Sequence, residues 1–192
     1  ANDLADYALE SGIPTYVAVA RAFQARLMLR QGDLESALRW VLATSHESEV
    51  EPAFMWLENP VLTRARVLIA HGATGSSLPG ARDPLTVAKG LLSEQLQTAR
   101  NTHNTLHMIR VLALLALAND ALGRKEGALD SLIEAVSLAG QGGFVRTFVD
   151  MGQAMASLFH QLAGQGIEPE YVSRIVAAFQ HLQIAGTPIR GL

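Results

Sequence analysis

The sequence predicts an all-α fold made of antiparallel helix pairs that repeat along the chain, and three observations support this. The phrase Gly-x-x-x-x-Ala follows an apolar helical run twice, at Gly32 to Ala37 and at Gly123 to Ala128. Apolar residues recur at helical spacing over most of the chain, and no stretch alternates as a strand would. Glycines that follow helical runs recur at a nearly fixed period, which is typical of helix-pair arrays.

A third copy of the phrase is interrupted. Gly72 follows an apolar run, but its small residue arrives only at Ala88, sixteen residues later rather than five. Gly32 and Gly72 are forty residues apart, and an insertion of eleven accounts for the longer interval from Gly72 to Gly123. We place this insertion at residues 71–83, which are rich in Gly, Ser and Pro, and expect turns or disorder there.

Start and stop signals divide the first part of the chain into helices. After an incoming helix that closes at Ser11-Gly12, a first full helix is expected to follow Pro14, with Thr15 as its cap, and to run to Gln31. Asp33 is expected to cap the partner helix, residues 34–43. The next segment, residues 45–52, is predicted to be a linker in which Glu47, Glu49 and Glu51 are solvated.

The remaining helices are expected to follow in the same way. A third long helix is predicted over residues 54–70, with a kink or a start at Asn59-Pro60, because proline lacks the amide donor and clashes one turn back. Asp83 and Pro84 then open a helix that ends near Arg100. The later elements are the central pair up to about residue 139, a flexible joint at 141–143, a short apolar unit at 144–151, and closing helices at 155–162 and 170–182.

Length and composition limit the classes of protein to consider. The chain has 192 residues, of which 49% are hydrophobic, enough for one domain with its own core. We predict a single helical domain over 1–192, with repeats over 15–140 and closing helices over 141–192, and we expect it to be a fragment of a larger protein because it begins in helical sequence without Met.

Charge and cysteine content exclude further classes. A net charge of −3 and a pI of about 6.1 provide no general attraction to nucleic acid. The absence of cysteine excludes disulfides and thiolate metal sites and favours a cytoplasmic protein. The longest strongly apolar stretch, Val111 to Ala118, is far shorter than the ~20 residues of a membrane span.

Nothing in the sequence indicates catalysis. His103 and His107 are four residues apart and would suit a metal if they shared a helical face, but no third ligand is near. Gly140, Gly142 and Gly143 do not follow a strand, as a phosphate-binding turn would, so we interpret them as a hinge. We therefore predict no enzyme activity, no metal and no cofactor, since helix-pair arrays present surfaces rather than reacting groups.

A ligand or partner is expected on the concave surface that stacked helix pairs create. Arg26, Arg66 and Arg110 lie on first helices, and Trp40 and Trp56 offer stacking surfaces. Arginine and tryptophan suit anions or sugars, because guanidinium donates paired hydrogen bonds and a planar ring covers an apolar sugar face. The alternatives are structural. Trp40 would then fill the gap between neighbouring pairs, and Arg66 would bond Glu58 or a helix end.

An ordered series of motifs carries a family resemblance. It comprises Gln31-Gly32-Asp33-Leu34-x-x-Ala37-x-x-Trp40, then Glu58 and Leu62-x-x-Ala65-Arg66-Val67-Leu68-Ile69-Ala70-x-Gly72, then Ile109-x-x-Leu112-Ala113-Leu114-x-Ala116-Leu117-Ala118, Ala128-Leu129-x-x-Leu132-x-x-Ala135-Val136, and Arg146-x-Phe148-Val149-Asp150-x-Gly152. The series, over about residues 15 to 160, resembles the tetratricopeptide-like sensor domain of MalT-like regulators, the large ATP-dependent LuxR family. The last motif is its most specific part, and Arg146 and Asp150 are expected to pair as a structural lock.

The resemblance implies a right-handed α-superhelix that senses an effector for a transcriptional regulator. It implies a small-molecule inducer, such as a sugar, or a protein partner, and it also allows self-association. ATP and DNA are expected to bind only through domains outside these residues, because no Gly-x-x-x-x-Gly-Lys-Ser/Thr motif and no basic recognition helix occur here.

Two alternatives remain open. One is a scaffold or oligomerisation module that binds only proteins. The other is a free-standing adaptor for carboxylate-ended peptides, against which the scarcity of lysine argues, since only Lys89 and Lys125 occur.

Overall fold

A computed structural model describes residues 7–8, 10–44, 58–80 and 82–184 of the chain. Within these ranges all regular structure is helical, which confirms the all-α prediction. The chain divides into two compact units, residues 1–88 and 89–192, and each is described by itself. The single domain and the handedness of a superhelix remain predictions. No helix in the described ranges is long and apolar enough to cross a membrane.

The first unit is built around α1 (Pro14–Gln31), α2 (Leu34–Ala43) and α3 (Pro60–Ala73). The three helices contact one another in every pairing. The buried side chains of α1 are mostly small, so neighbouring backbones can approach closely: Ala18, Val19, Ala20, Ala22, Ala25 and Leu29. The opposing residues of α3 are larger, and Leu62, Leu68 and Ile69 are almost fully buried.

Most of the expected helix starts are confirmed, and one cap is wrong. Asp33 accepts from the amide of Ser36 at 3.0 Å, as predicted. Helix α1, however, has Ile13 at its cap position with no side-chain bond, and Pro14 is its first residue. Because proline already fixes the φ angle that a first turn needs, the helix begins without a polar cap. Thr15 therefore lies inside the helix.

Asn59 and Asp83 mark the next two helix starts. The side chain of Asn59 accepts from the amide of Leu62 at 3.1 Å, so Asn59-Pro60 is a helix start rather than a kink. Residues 54–57, where an earlier start was predicted, lie outside the described ranges. Asp83 accepts from the amide of Thr86 at 3.0 Å, and Pro84 opens α4 (Pro84–Asn101) as predicted.

The second unit is organised around α5 (Thr105–Ala121) and its partner α6 (Lys125–Ala139). Every residue of α5 from 111 to 119 is buried, so this helix is enclosed on all sides. A short 3₁₀ turn, Gly140–Gly142, follows α6. The closing helices are α7 (Val145–Val149), α8 (Gln153–Ala163) and α9 (Pro169–Ile184), which all contact one another.

Two hairpin turns have the geometry that the repeated phrase predicts. Gly32 and Gly123 adopt left-handed φ angles of 87° and 74°. In both turns the glycine amide bonds the carbonyl three residues back and the next amide bonds the carbonyl five residues before it, as in a Schellman motif. Ala37 and Ala128 are fully buried, as expected for small residues at a close helix crossing.

Gly72 is not equivalent to these two glycines. It lies inside α3, and a Cβ atom there would be 2.5 Å from Cγ of Leu85, so its role is close packing against the start of α4. The left-handed conformation after α3 belongs to Gly75, with φ 77°. The fixed period derived from the three glycines was therefore wrong, because it joined two turn glycines to a packing glycine.

The insertion begins slightly later than predicted, because α3 continues to Ala73. Its described residues form turns rather than an extended loop. The hydroxyl of Thr74 donates to the carbonyl of His71 at 2.7 Å, and the amide of Leu78 donates to the carbonyl of Arg82 at 3.1 Å. Residue 81 lies outside the described ranges.

Candidate functional site

Two of the predicted ligand residues meet at one carboxylate in the first unit. Arg26 on α1 and Arg66 on α3 both donate to the side chain of Glu58, Arg66 at 3.0 Å to Oε1 and Arg26 to Oε2. The hydroxyl of Thr63 also donates to Oε1. We call these four residues the Glu58 cluster. It connects α1 with α3 through the residue that comes before the cap of α3.

The cluster is buried on one side and accessible on the other. The side chains of Glu58 and Arg66 are only 8% and 9% exposed, whereas that of Arg26 is 30% exposed. Burial by itself raises the pKa of Glu58, but the guanidiniums of Arg66 and Arg26 and the hydroxyl of Thr63 together hold it below its usual value. Glu58 is therefore a carboxylate at neutral pH.

Three further ion pairs in the described ranges have a different character. Arg39 pairs with Glu35, Arg100 with Glu134, and Arg146 with Asp150, each with one guanidinium on one carboxylate. At least one partner in each of these pairs is well exposed. Exposed pairs contribute at most about 1 kcal/mol to stability, because water screens them and the side chains lose freedom. The Glu58 cluster thus differs from these three pairs in its burial and in sharing one acid between two bases.

Trp40 lies on α2 and is half-buried. Its indole nitrogen is buried and has no hydrogen-bond partner among the described residues. A buried N–H without a partner lowers stability unless a ligand or a water accepts from it. Trp56, the second predicted stacking surface, lies outside the described ranges, as do Glu47, Glu49 and Glu51.

Arg110 belongs to the second unit, whereas Arg26 and Arg66 belong to the first. It lies half-buried on α5, one turn after His107. Burial and the charge of Arg110 lower the pKa of His107. The Nε2 atom of His107 is 3.0 Å from Oε1 of Gln95, which favours a ring with a proton on Nε2 that donates to this oxygen.

The histidine pair considered as a metal site does not share a helical face. Helix α5 begins at Thr105, and His103 lies before it with a left-handed φ of 52°. His103 occupies the position that glycine takes in the two hairpin turns, with the amide of Asn104 donating to the carbonyl of Ala99. Within the described ranges no three His, Asp or Glu side chains are grouped so that they could hold a metal.

The most specific motif, Arg146 to Gly152, has a structural explanation. Arg146 and Asp150 form the predicted pair at 2.8 Å. Phe148 and Val149 are buried, and Phe148 meets Phe159 of α8 edge to face with ring centres 5.1 Å apart. Gly152 caps α8 with φ 81° and ψ −160°, a conformation that is essentially restricted to glycine. The motif therefore connects α7 to α8.

The sequence alone did not indicate Thr63, the bond from Arg26 to Glu58, or Asn119. Thr63 and Arg66 lie five and eight residues after Glu58, a spacing that carries no signal unless the start of α3 is known. Asn119 gave a clearer signal, because it is a polar residue at the end of an apolar run. Its Nδ2 donates to the carbonyl of Gly127 at 3.2 Å and joins α5 to α6.

Comparison with known proteins identifies the family. The family model described as the MalT-like TPR region matches residues 7–165. The HTH-type transcriptional regulators MalT of Klebsiella pneumoniae strain 342 and of a strain of K. pneumoniae subsp. pneumoniae are each 29% identical to the chain over 154 residues. The aligned part is 79% of this chain but only 16% of each relative. No solved structure matches the chain significantly.

The match spans the helix pairs, the Glu58 cluster and the Arg146 to Gly152 motif, and it ends between α8 and α9. The chain therefore belongs to the family of MalT-like TPR regions.

Proposed function

We propose that this chain is the effector-sensing and protein-interaction segment of a LuxR-family, MalT-like transcriptional regulator in the cytoplasm. Its membership of the MalT-like TPR family is the observation that carries the proposal. The relatives named MalT are HTH-type transcriptional regulators, and the chain corresponds to 16% of their length. In the proposed protein, DNA and ATP are bound by other domains, and this segment has no catalytic role and needs no cofactor.

The proposed mechanism is a shift between a resting and an assembly-competent regulator. An inducer shifts that equilibrium only by its difference in affinity for the two states. The Glu58 cluster supplies a suitable structural element, because it joins α1 and α3 through side chains rather than through a continuous helix. A compound or a protein that contacts Arg26, Trp40 or Arg66 would change how firmly these helices are held together.

Thermal unfolding with a panel of oligosaccharides, small metabolites and nucleotides tests the sensing function. A compound at one hundred times its dissociation constant adds about 2.7 kcal/mol of stability. For a domain of this size each kcal/mol raises the midpoint by roughly 2–4 °C. A saturable rise of that order is expected for the inducer. If no compound shifts the midpoint, in a panel that includes the inducer of the full-length regulator, sensing by this segment is contradicted.

A second candidate function is a scaffold that binds only proteins. It is favoured by large apolar side chains exposed in the first unit, namely Tyr7, Ile13, Phe23 and Leu42. Exposed apolar side chains are available to a protein partner or to a second copy of the chain. Sedimentation velocity over a range of concentrations separates the candidates. Self-association weakened by Phe23→Ser and Leu42→Ser, with no response to any compound, would favour the scaffold.

A further inference from the structure

We propose that Arg26, Arg66 and Thr63 form a binding site for the carboxylate or phosphate group of a small anionic effector, and that Glu58 occupies this site as an internal competitor. The inference rests on the proposed sensing function and names the chemical class of its effector. It also assigns Glu58 a regulatory role, since the acid closes the site when the effector is absent.

The donors have the chemistry of an anion receptor. Two guanidiniums from different helices and one hydroxyl converge on the two oxygens of a single carboxylate. Planar guanidinium forks match the oxygens of carboxylates and phosphates, and charge-assisted bonds to them are stronger than neutral ones. An oxygen acid of similar size would therefore satisfy the same three donors if Glu58 moved away.

Glu58 is placed so that it can leave without unwinding a helix. It precedes Asn59, the cap residue of α3, and has no helical conformation of its own. The cap bond runs from Asn59 to the amide of Leu62 and does not involve Glu58. Access is provided by Arg26, whose side chain is 30% exposed while that of Arg66 is 9% exposed. An incoming anion would meet Arg26 first.

Competition by Glu58 couples binding to structure. Glu58 bonds α1 only through Arg26, so an effector that binds Arg26 and Arg66 takes over the link between α1 and α3 and releases Glu58. The effector then prefers the state in which Glu58 is displaced, which is the differential affinity that a switch requires. Its apparent affinity is lowered in proportion to the fraction of time for which Glu58 fills the site. Removing the Glu58 charge should therefore tighten anion binding.

Titration of the whole chain with citrate and, separately, with inorganic phosphate tests the proposal. Sodium chloride at equal ionic strength is the reference, and binding is measured by calorimetry. We expect saturable binding of at least one of the two anions to the wild type, with Kd lower by at least about tenfold in Glu58→Gln. The binding should be lost in Arg26→Gln. Arg39→Gln is the matched control, because it removes an exposed arginine of the same unit.

The two probes separate carboxylate from phosphate effectors. Circular dichroism establishes that each variant is folded, and Glu58→Gln that folds only when the anion is added would also support the site. The proposal is overturned if neither anion saturates the wild type, or if Arg26→Gln binds as the wild type does. It is overturned equally if folded Glu58→Gln binds no more tightly.

Failure of this inference can be distinguished from failure of the sensing function. If a neutral compound raises the unfolding midpoint while neither anion binds, the anion site is contradicted but the sensing function is not. If an anion binds saturably at Arg26 but changes neither self-association nor partner binding, the anion site is supported. Its role in sensing is then contradicted.

Discussion

The helices of both units pack through buried apolar side chains, but the two units supplement that packing by different means. In the first unit α1 and α3 are joined by the charged Glu58 cluster. In the second unit α7, α8 and α9 are joined by the fully buried rings of Phe148, Phe159 and Phe179, with successive centres 5.1 Å and 6.2 Å apart.

The difference indicates which unit is suited to respond to an effector. Apolar packing does not depend on charge, and nothing small and polar can replace it. A buried ion cluster gains little net stability over apolar packing of the same volume, since taking charges out of water offsets their attraction. We therefore expect the second unit to supply stability and the first to supply recognition chemistry.

The largest effect is expected from the aromatic connection. Phe159→Ala should lower the free energy of unfolding by about 3–5 kcal/mol, because it removes a fully buried ring that contacts two others. Urea unfolding monitored by circular dichroism measures this. The loss should be the same at pH 5 and at pH 8. A loss below about 1 kcal/mol would show that the three rings do not form the connection.

A somewhat smaller loss is expected in the first unit. Glu58→Gln should cost about 3 kcal/mol, because it removes the buried carboxylate that both Arg26 and Arg66 bond. Glu35→Gln, which breaks an exposed pair, should cost less than about 1 kcal/mol. Equal losses for the two variants in urea would mean that the cluster is no more important than a surface ion pair.

Acid should distinguish the two connections. The folded pKa of Glu58 lies below its ordinary value of 4.5, so the unfolded chain takes up the proton first as the pH falls. The stabilisation from Glu58 is therefore complete above that value and is lost as the pH falls through the folded pKa. Unfolding free energies measured between about pH 6 and pH 3 should fall more steeply for the wild type than for Glu58→Gln. Parallel curves would contradict the charge cluster.

The smallest effects concern the turns, which both units build in the same way. Gly32→Ala and Gly123→Ala should each cost about 1 kcal/mol, since both glycines have left-handed φ angles. A Cβ atom at Gly123 would meet nothing within 4 Å, so its cost is purely conformational. His103→Gly should stabilise by up to about 1 kcal/mol, because it relieves the same strain. Destabilisation by His103→Gly would show that the His103 side chain is needed there.

The helices were predictable because their signals are local. Asp33, Asp83 and the glycines at 32 and 123 cap or end helices through contacts within a few residues, and the structure confirms each of them. Local signals fail where two of them compete. Thr15 has the residue type of a cap, but Pro14 before it already starts the helix.

Gly72 and the Glu58 cluster show what the sequence alone cannot supply. In the sequence Gly72 resembles a turn glycine, and only the structure shows that it packs against Leu85 of the next helix. Arg26 and Glu58 are thirty-two residues apart, and their bond depends on how α1 packs on α3. Such contacts follow from packing rather than from spacing. Arg66 bonds Glu58, as expected if its role is structural. Contact of a ligand with Arg26, Trp40, Arg66 or Arg110 remains a prediction.

The most direct test is thermal unfolding with the compound panel on three proteins, namely the wild type, Glu58→Gln and Phe159→Leu. The account predicts that a compound which stabilises the wild type gives the same midpoint shift in Phe159→Leu, where only apolar packing is changed. In Glu58→Gln the shift should differ by several degrees, because the apparent affinity changes with the cluster. Equal shifts in all three proteins would contradict the assignment of recognition to the first unit.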